Sequence, residues 1–319
     1  MDNRALVSIG LMVYNHEAFI EDCLKSLLQQ DYSNMELIIL DDASTDRSRE
    51  IILRYCDKLR EKFCHVTFLY HNRNCGKIPQ NMNELIGQAQ GEFYKGFSGD
   101  DIMRPACISC LVECMQMHPE VSIVYSNGHV IDDNFRLEKH SGTGTKIFLQ
   151  KPINDTCENT FRKLMFGIGP SSPSAMFRKI VYERYGPYDE SIPYEDYEYW
   201  LRICRKERFF YLDEDLIYYR KSVNSLTNYR GSAGKRKVKK SILSDHMTIQ
   251  RYLRYLPSVD RKRAIALYYQ KYYQLSYEAN FYRGFIVTAY KIRRLGVDFP
   301  LDFWNRFCQM VIGTINCKM

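Results

Sequence analysis

The chain has 319 residues, 45% hydrophobic and 26% charged, the balance of a folded globular protein and not of a disordered or fibrous one. No apolar run approaches the ~20 residues that a membrane-spanning helix needs. Met1 to Arg4 lead straight into a strand pattern, so no signal peptide is expected. The net charge of +7 is unevenly spread: residues 221–319 carry 19 Lys+Arg against 5 Asp+Glu, and the remainder is net acidic. An acidic body with a basic end suggests an anionic surface or polymer as the partner of that end.

The 11 cysteines form no evident framework. Cys107, Cys110 and Cys114 fall at helical spacing on an apolar segment. Without further Cys or His at matching spacing, they read as a buried face of reduced thiols. This usage points to a reducing, cytoplasmic compartment.

Residues 5–14 are apolar at almost every position, as in a central strand covered on both faces. Asn15 then offers a helix N-cap, and Phe19, Ile20, Cys23, Leu24, Leu27 and Leu28 recur at helical spacing. A second strand, 35–40, stops at the acidic run 41–46 (DDASTD). A helix with Ile51, Ile52, Tyr55 and Leu59 on one face leads to a third strand at 66–70. The loop 72–77 precedes a helix from about Pro79 to Gln90, with Pro79 suited to its first turn. The fourth strand, 92–98, ends in Ser98, Gly99, Asp100 and Asp101, and a helix follows over 105–118. Four successive β–α units predict an α/β fold with a doubly wound, mainly parallel sheet.

Beyond this the pattern loosens. Residues 121–125 predict another strand, 126–160 carry hairpin-like signals, 175–178 a short strand, and 209–220 a strand pair or hairpin. From about Ser241 the chain reads as helical and aromatic-rich, with Tyr252, Tyr255, Tyr268, Tyr269, Tyr272 and Tyr273. Residues 230–240, with Gly231, Gly234 and many basic side chains, read as a linker. The later aromatics Phe281, Phe285, Phe303, Trp304 and Phe307 read as helical core.

The strand ends carry the chemistry. Strand one ends in Tyr14 and Asn15, strand two in Asp41 and Asp42, strand four in Asp100 and Asp101. In a parallel sheet these ends share one edge, where open α/β sheets bind ligands. An aromatic can stack on a base and a carboxylate can accept hydrogen bonds from it. The pair Asp100 and Asp101 repels itself unless solvated, used as a helix cap, or neutralised by a hard cation on phosphates. Neither a dinucleotide-binding glycine fingerprint nor a P-loop follows strand one, so both of those nucleotide folds are poor readings.

Residues 7–15 (VSIGLMVYN), 41–46 (DDASTD), 98–101 (SGDD) and 194–202 (YEDYEYWLR) together resemble an inverting family-2 glycosyltransferase of GT-A fold, in the family's order, over roughly residues 5–228. The resemblance implies a Rossmann-like, doubly wound mixed sheet. It divides the chain into a nucleotide-sugar half of about 1–125, an acceptor half of about 126–228, and a helical C-terminal region, 229–319. It implies that Tyr14 stacks on the base, usually uracil, with Asn15 beside it. Asp41 would bond the base, Lys77 and Asn83 would face the nucleotide, and Asp100 with Asp101 would bind Mg²⁺ or Mn²⁺. Ser98 stands where the family has the first acid of D-x-D, and Ser222 where a histidine completes the metal site. Asp196 would be the general base, with Glu195 beside it. Gly169, Ser171, Ser172 and Arg202 would lie at the acceptor side.

The function so implied is transfer of a sugar from a nucleoside-diphosphate sugar, a UDP-sugar, to a hydroxyl of a glycan or lipid-linked acceptor in surface polysaccharide synthesis. The protein would act at the inner face of the membrane. Nucleic acid is not an expected partner, because no recognition motif accompanies the basic charge. Two alternatives stand beside this reading. One is a nucleotidyltransferase, which would need a phosphate loop after strand one. The other is a sugar-nucleotide-binding subunit with weak or lost activity, suggested by Ser98 and Ser222.

Overall fold

Alternating strands and amphipathic helices build the first third of the chain in the computed structural model, which describes residues 4–137, 146–148, 155–167, 169–222 and 234–295. β1 (Val7–Val13) lies between β2 (Met35–Asp41) and β4 (Phe93–Ser98), with β3 (His65–Tyr70) outside β2, all four parallel. The helices α1 (Ile20–Leu28), α2 (Ser48–Lys62) and α3 (Ile78–Gln88) connect them. The short β5 (Ile102–Met103) and α4 (Cys107–Met117) follow. The strand period of two sorts β1 cleanly. Val7, Ile9, Leu11 and Val13 share a core with Ile20, Leu24 and Leu27 of α1, Ile51 and Ile52 of α2, and Ile108 and Leu111 of α4. On the opposite face a Cβ on Gly10 would lie 2.1 Å from the Tyr94 hydroxyl, so glycine there makes room for the tyrosine.

Past β4 the sheet becomes mixed. β8 (Ala175–Arg178) is antiparallel to β4, and β6 (Val121–Ile131) is antiparallel to β8. β9 (Arg208–Arg220) runs parallel to β6 and pairs antiparallel with β5, while β7 (Lys146–Phe148) pairs with β6. The order is β3-β2-β1-β4-β8-β6-β9-β5. Two reversals bring β6 and β9 back into the direction of β1, β2 and β4, so the carboxyl ends of all five strands face one edge. The helices α5 (Cys157–Met165), α6 (Lys179–Tyr185) and α7 (Asp196–Ile203) fill the connections.

The stretch expected as a hairpin at 209–220 is instead one strand of 13 residues. The acidic run that resembles a turn is a bulge: Ser126 faces Leu212 and Asn127 faces Asp215, which pushes Asp213 and Glu214 out of the ladder. β6 likewise runs on to Ile131, six residues past the expected end.

The chain divides into two compact units, Met1–Lys163 with Ile168–Ser222, and Leu164–Gly167 with Val223–Met319. The second contains α8 (Gly234–Tyr252), α9 (Ser258–Glu278) and α10 (Tyr282–Arg294). The expected linker at 230–240 is corrected from Gly234 onward. Lys235 to Lys240 form the first turns of α8, as suits lysine and arginine, which are good helix formers. Of the aromatics expected as core, Phe285 is buried. Tyr272 is buried with its hydroxyl donating to the Ser241 carbonyl at 2.9 Å, and Tyr273 packs on Phe285 with centroids 4.4 Å apart. Residues 223–233, with Ser225, and Phe303, Trp304 and Phe307 lie outside the described residues. Among the described residues no helix is long and apolar enough to cross a membrane.

Candidate active site

The parallel register sets the first half of the site. Val13 pairs with Asp41 and Met12 with Ser98, so Tyr14, Asp41, Asp42 and the 98–101 turn leave the sheet side by side. The Tyr14 ring is 43% exposed at this edge, free for stacking. Asn15 does not cap α1, which begins five residues later with no side-chain cap. It sits in the left-handed region at φ 55°, which asparagine tolerates. Its amide oxygen instead accepts the Thr45 N–H at 2.8 Å, while its own N–H donates to Ser44 Oγ. Asp41 Oδ1 accepts the Ser44 N–H at 3.1 Å and the Ser44 hydroxyl at 2.5 Å. The DDAST run is thus a folded loop that fixes the shape of the edge beside Tyr14.

Asp42, which the sequence reading named at the strand end without giving it a role, is the more connected acid. It is buried and accepts the Cys75 N–H at 2.9 Å and an Asn74 amide hydrogen at 3.1 Å, and meets His71 Nδ1 at 2.8 Å. Burial alone would raise its carboxyl, but the Cys75 amide and His71 outweigh that and hold it below its ordinary value. His71 also meets Glu84 of α3 at 2.9 Å, and the two carboxylates raise its imidazole against the opposing effect of burial. Lys77, at the start of α3, is exposed. Asn83 is spent on structure. Its amide donates to the Tyr188 carbonyl and Glu190 and accepts the Tyr188 N–H at 2.8 Å, tying α3 to the loop before α7.

At the end of β4, Ser98 Oγ donates to Asp100 Oδ1 at 2.5 Å. Gly99 between them is tight: a Cβ there would lie 2.8 Å from His16 Nδ1 and 3.0 Å from Ile20. Asp100 remains partly open to solvent, whereas Asp101 is buried and accepts the Arg220 N–H at 2.8 Å. Burial, then the Asp100 charge, pushes the Asp101 carboxyl well above its ordinary range. Arg220, also buried, donates from Nε to the Asp100 carbonyl at 2.9 Å and lies over the Phe19 ring at 4.4 Å. The last residue of β9 thereby clamps the acidic turn of β4 from across the sheet. The open Asp100 carboxylate with a hydroxyl at its side is an all-oxygen donor set, which fits Mg²⁺ or Mn²⁺. Ser222 is buried two residues beyond Arg220.

The second half of the site flanks β8. Because β8 opposes β4, the segment before it lies at the carboxyl edge of β4. Gly169 is exposed there, and Ser172 opens a short 3₁₀ turn, Ser172–Ser174. The Ser171 carbonyl accepts the Ser174 N–H and hydroxyl, at 3.0 and 2.7 Å. The ladder between β4 and β8 ends after two pairs, Phe93 with Arg178 and Tyr94 with Phe177. Where the strands part, the fully buried Lys95 donates to the Pro173 and Ala175 carbonyls, replacing the missing ladder bonds.

Burial drives the Lys95 ammonium down from 10.5 to about 8. Between those values the folded chain holds fewer protons than the unfolded chain, so stability rises with pH across the window. Relative to Lys95→Met, wild type is expected to gain up to about 3 kcal/mol between pH 8 and 10.5, read by urea titration. A constant difference would mean that the ammonium keeps its charge between the two carbonyls.

α7 carries Glu195 as its N-cap residue and Asp196 as its first residue, an end where the helix dipole favours negative charge. Asp196 Oδ1 accepts the Tyr197 N–H at 2.7 Å. Burial and the Asp196 charge push the Glu195 carboxyl up to about 8. A chain of rings fastens this helix to the sheet. Tyr94 on β4 meets Phe177 at 5.3 Å, Phe177 meets Tyr199 at 6.2 Å, and Tyr199 meets Tyr188 at 4.4 Å. Tyr94 and Ser98 share a face of β4, so α7 covers the face that carries Ser98. Arg202, expected at the acceptor side, is committed elsewhere. It pairs with Glu198 at 2.8 Å and donates to the Tyr185 and Pro187 carbonyls. The i,i+4 spacing from Glu198 makes that pairing local.

The family model described as glycosyl transferase family 2 matches residues 8–186, more than half of the chain. The chain belongs to glycosyl transferase family 2. An uncharacterized glycosyltransferase of Rickettsia typhi is 27% identical over 213 residues, 66% of this chain and 63% of the relative's length. Among solved structures, Staphylococcus aureus TarS 1-349 in complex with UDP-GlcNAc superposes with a TM-score of 0.57 at 16% identity, covering 92% of this chain and 93% of TarS 1-349. The mannosyltransferase PcManGT of Pyrobaculum calidifontis, in complex with GDP-Man and Mn²⁺, gives 0.57 at 15% identity over 100% of this chain and 82% of PcManGT. These likenesses establish the GT-A fold, with a helical C-terminal region.

Within this family-2 fold the sequence reading gave Asp42 no role of its own and missed His71, Lys95 and Arg220. Asp42 had a signal, being the second of two acids at a strand end. Arg220 lies two residues before Ser222, but its contact with Asp101 spans 119 positions and only folding creates it. Lys95 had none, because a lysine in a strand normally points to water.

Proposed function

We propose that this family-2 chain transfers a sugar from a nucleoside-diphosphate sugar, a UDP-sugar, to a hydroxyl of a glycan or lipid-linked acceptor, inverting the anomeric centre. The observation that carries the proposal is the acid pair Glu195 and Asp196 at the start of α7, on the face of β4 that bears Ser98. Tyr14 and Asp41 frame the base end, and Lys77 stands nearby for the phosphates. Asp196 takes the proton from the acceptor hydroxyl as that oxygen attacks the anomeric carbon opposite the leaving diphosphate. Glu195, holding its own proton near neutral pH, supports Asp196 without competing for the acceptor's proton. The 169–174 segment, fixed by Lys95, borders the acceptor's approach.

Asp100, with Ser98 at its side, would hold Mg²⁺ or Mn²⁺, and Asp101 would steady the turn or join the ligand set. When bound, the ion offsets charge on the diphosphate. The basic second unit suits an anionic membrane surface and a lipid-linked acceptor in surface polysaccharide synthesis. Flotation with anionic but not neutral vesicles, lost in high salt, would support that part.

The test is a thermal-shift screen of UDP, GDP and their sugars with Mn²⁺, followed by product analysis. A ligand that binds the native state alone raises the melting temperature. Release of nucleoside diphosphate is expected; release of pyrophosphate would instead indicate a nucleotidyltransferase. Ser98 and Ser222 favour one second reading, a donor-binding subunit with little turnover, for which binding without product would be the signature.

A further inference from the structure

The end of β2 and the loop after β3 bring together three side chains that the proposed transfer does not use. A carboxylate oxygen of Asp42, a ring nitrogen of His71 and Cys75 Sγ all lie within 4.8 Å of one another. We propose that these residues form a binding site for zinc at the nucleobase end of the donor pocket, and that zinc bound there excludes the nucleotide. The second half of this statement rests on the donor reading above; the first does not.

The donor set decides the metal. One oxygen, one imidazole nitrogen and one sulfur suit zinc, whereas Mg²⁺ and Mn²⁺ prefer oxygen alone. The spacing is close to what zinc needs. His71 Nδ1 is 2.8 Å from Asp42 Oδ1, and Cys75 Sγ is 3.5 Å from Asp42 Oδ2. Ligands bound tetrahedrally at ~2.0–2.3 Å stand roughly 3.3–3.8 Å apart, so a small turn of the His71 ring opens the position.

Each ligand also has an outer partner that orients it. Glu84 meets His71 Nε2 at 2.9 Å and keeps the N–H on that side, so that Nδ1 can bind the metal once its proton, now donated to Asp42 Oδ1, has left, the carboxylate–histidine arrangement that zinc sites use. Asn74 donates to Asp42 at 3.1 Å, and the Cys75 thiol donates to Asn81 Oδ1 at 2.9 Å, a bond that fixes the sulfur until its proton leaves. The Asp42 carboxylate and a Cys75 thiolate neutralise the ion, and the thiol proton and the proton on His71 Nδ1 pass to the buffer. Three protein ligands leave a fourth corner open. Asp42 adjoins Asp41, so an ion held here occupies the base end of the edge that Tyr14 borders.

The experiment is calorimetry of the full chain with zinc alone, in two buffers of different ionisation enthalpy, for wild type, Cys75→Ser and His71→Gln. Wild type is expected to bind an ion at micromolar concentration with release of protons. Each variant should weaken that binding at least about tenfold, and Cys75→Ser should also release fewer protons than wild type, keeping only those that leave His71. Absence of micromolar binding in wild type would overturn the site, and so would unchanged affinity in both variants. UDP with Mg²⁺ is expected to raise the apparent Kd for zinc. If UDP binds yet leaves zinc affinity unchanged, the exclusion is wrong. If UDP does not bind at all, the donor reading fails while the zinc site stands on its own titration.

Discussion

Replacing Asp196 by Asn is expected to lower turnover by roughly 10²–10⁴-fold, the usual cost of losing a general base. The substitution keeps the size of the side chain and its place at the start of α7, so the acceptor of the Tyr197 N–H survives. What it removes is basicity. Affinity for UDP with Mn²⁺, measured by calorimetry, should hold, because the proposed donor contacts lie at the ends of β1, β2 and β4. Glu195→Gln should be far milder near neutral pH. Desolvation and the neighbouring charge already keep that carboxyl protonated up to about 8, and an amide mimics the protonated form. Intact turnover in the Asp196 variant would end the base assignment. A loss traced wholly to nucleotide binding would move Asp196 into the donor site.

Asp100→Ala should abolish metal-dependent donor binding. Loss of a mere outer partner of a metal site costs roughly 10–100-fold in affinity, and loss of a carboxylate ligand should cost at least that. The fold should survive, since Asp100 is partly open and the bond from Arg220 reaches its backbone carbonyl, which alanine retains. The contrast is Asp101→Ala. Its carboxylate accepts a buried N–H, and removing it orphans that donor, so instability is expected there alongside any metal defect. UDP titrations with and without Mn²⁺ separate the cases. An Asp100→Ala protein that binds UDP with undiminished dependence on Mn²⁺ would refute the ligand assignment.

Much of the fold was legible because periodicity is local. The unbroken apolar runs of β1 and β2 and the helical spacing of Ile51, Ile52 and Leu59 report burial directly. The acidic strand ends, read with the rule that parallel strands share an edge, brought Tyr14, Asp41 and Asp100 together before any coordinates did. Local rules failed where a polar run had two outcomes. Asp213 and Glu214 look like a turn, yet β6 offered a continuous partner and the strand absorbed them as a bulge. The basic start of α8 looks like a linker, yet lysine and arginine carry no penalty in a helix.

The sequence by itself determined the order of the elements, the edge where the chemistry lies and the family. The elements rest on patterns local to each strand or helix, and the edge and the family on short motifs spread in order between residues 7 and 202. The tertiary structure alone decided which side chains are free to act. Asn83 and Arg202 carry suitable groups, but their hydrogen bonds go to the Tyr188 and Pro187 backbone. Arg220 reaches Asp101, Lys95 reaches the Pro173 carbonyl, and Asp42 meets His71 and Cys75, because the sheet brings distant segments within hydrogen-bond range. A polar atom that leaves water must find a partner wherever packing supplies one, and that partner is set by topology, not by neighbours in the chain.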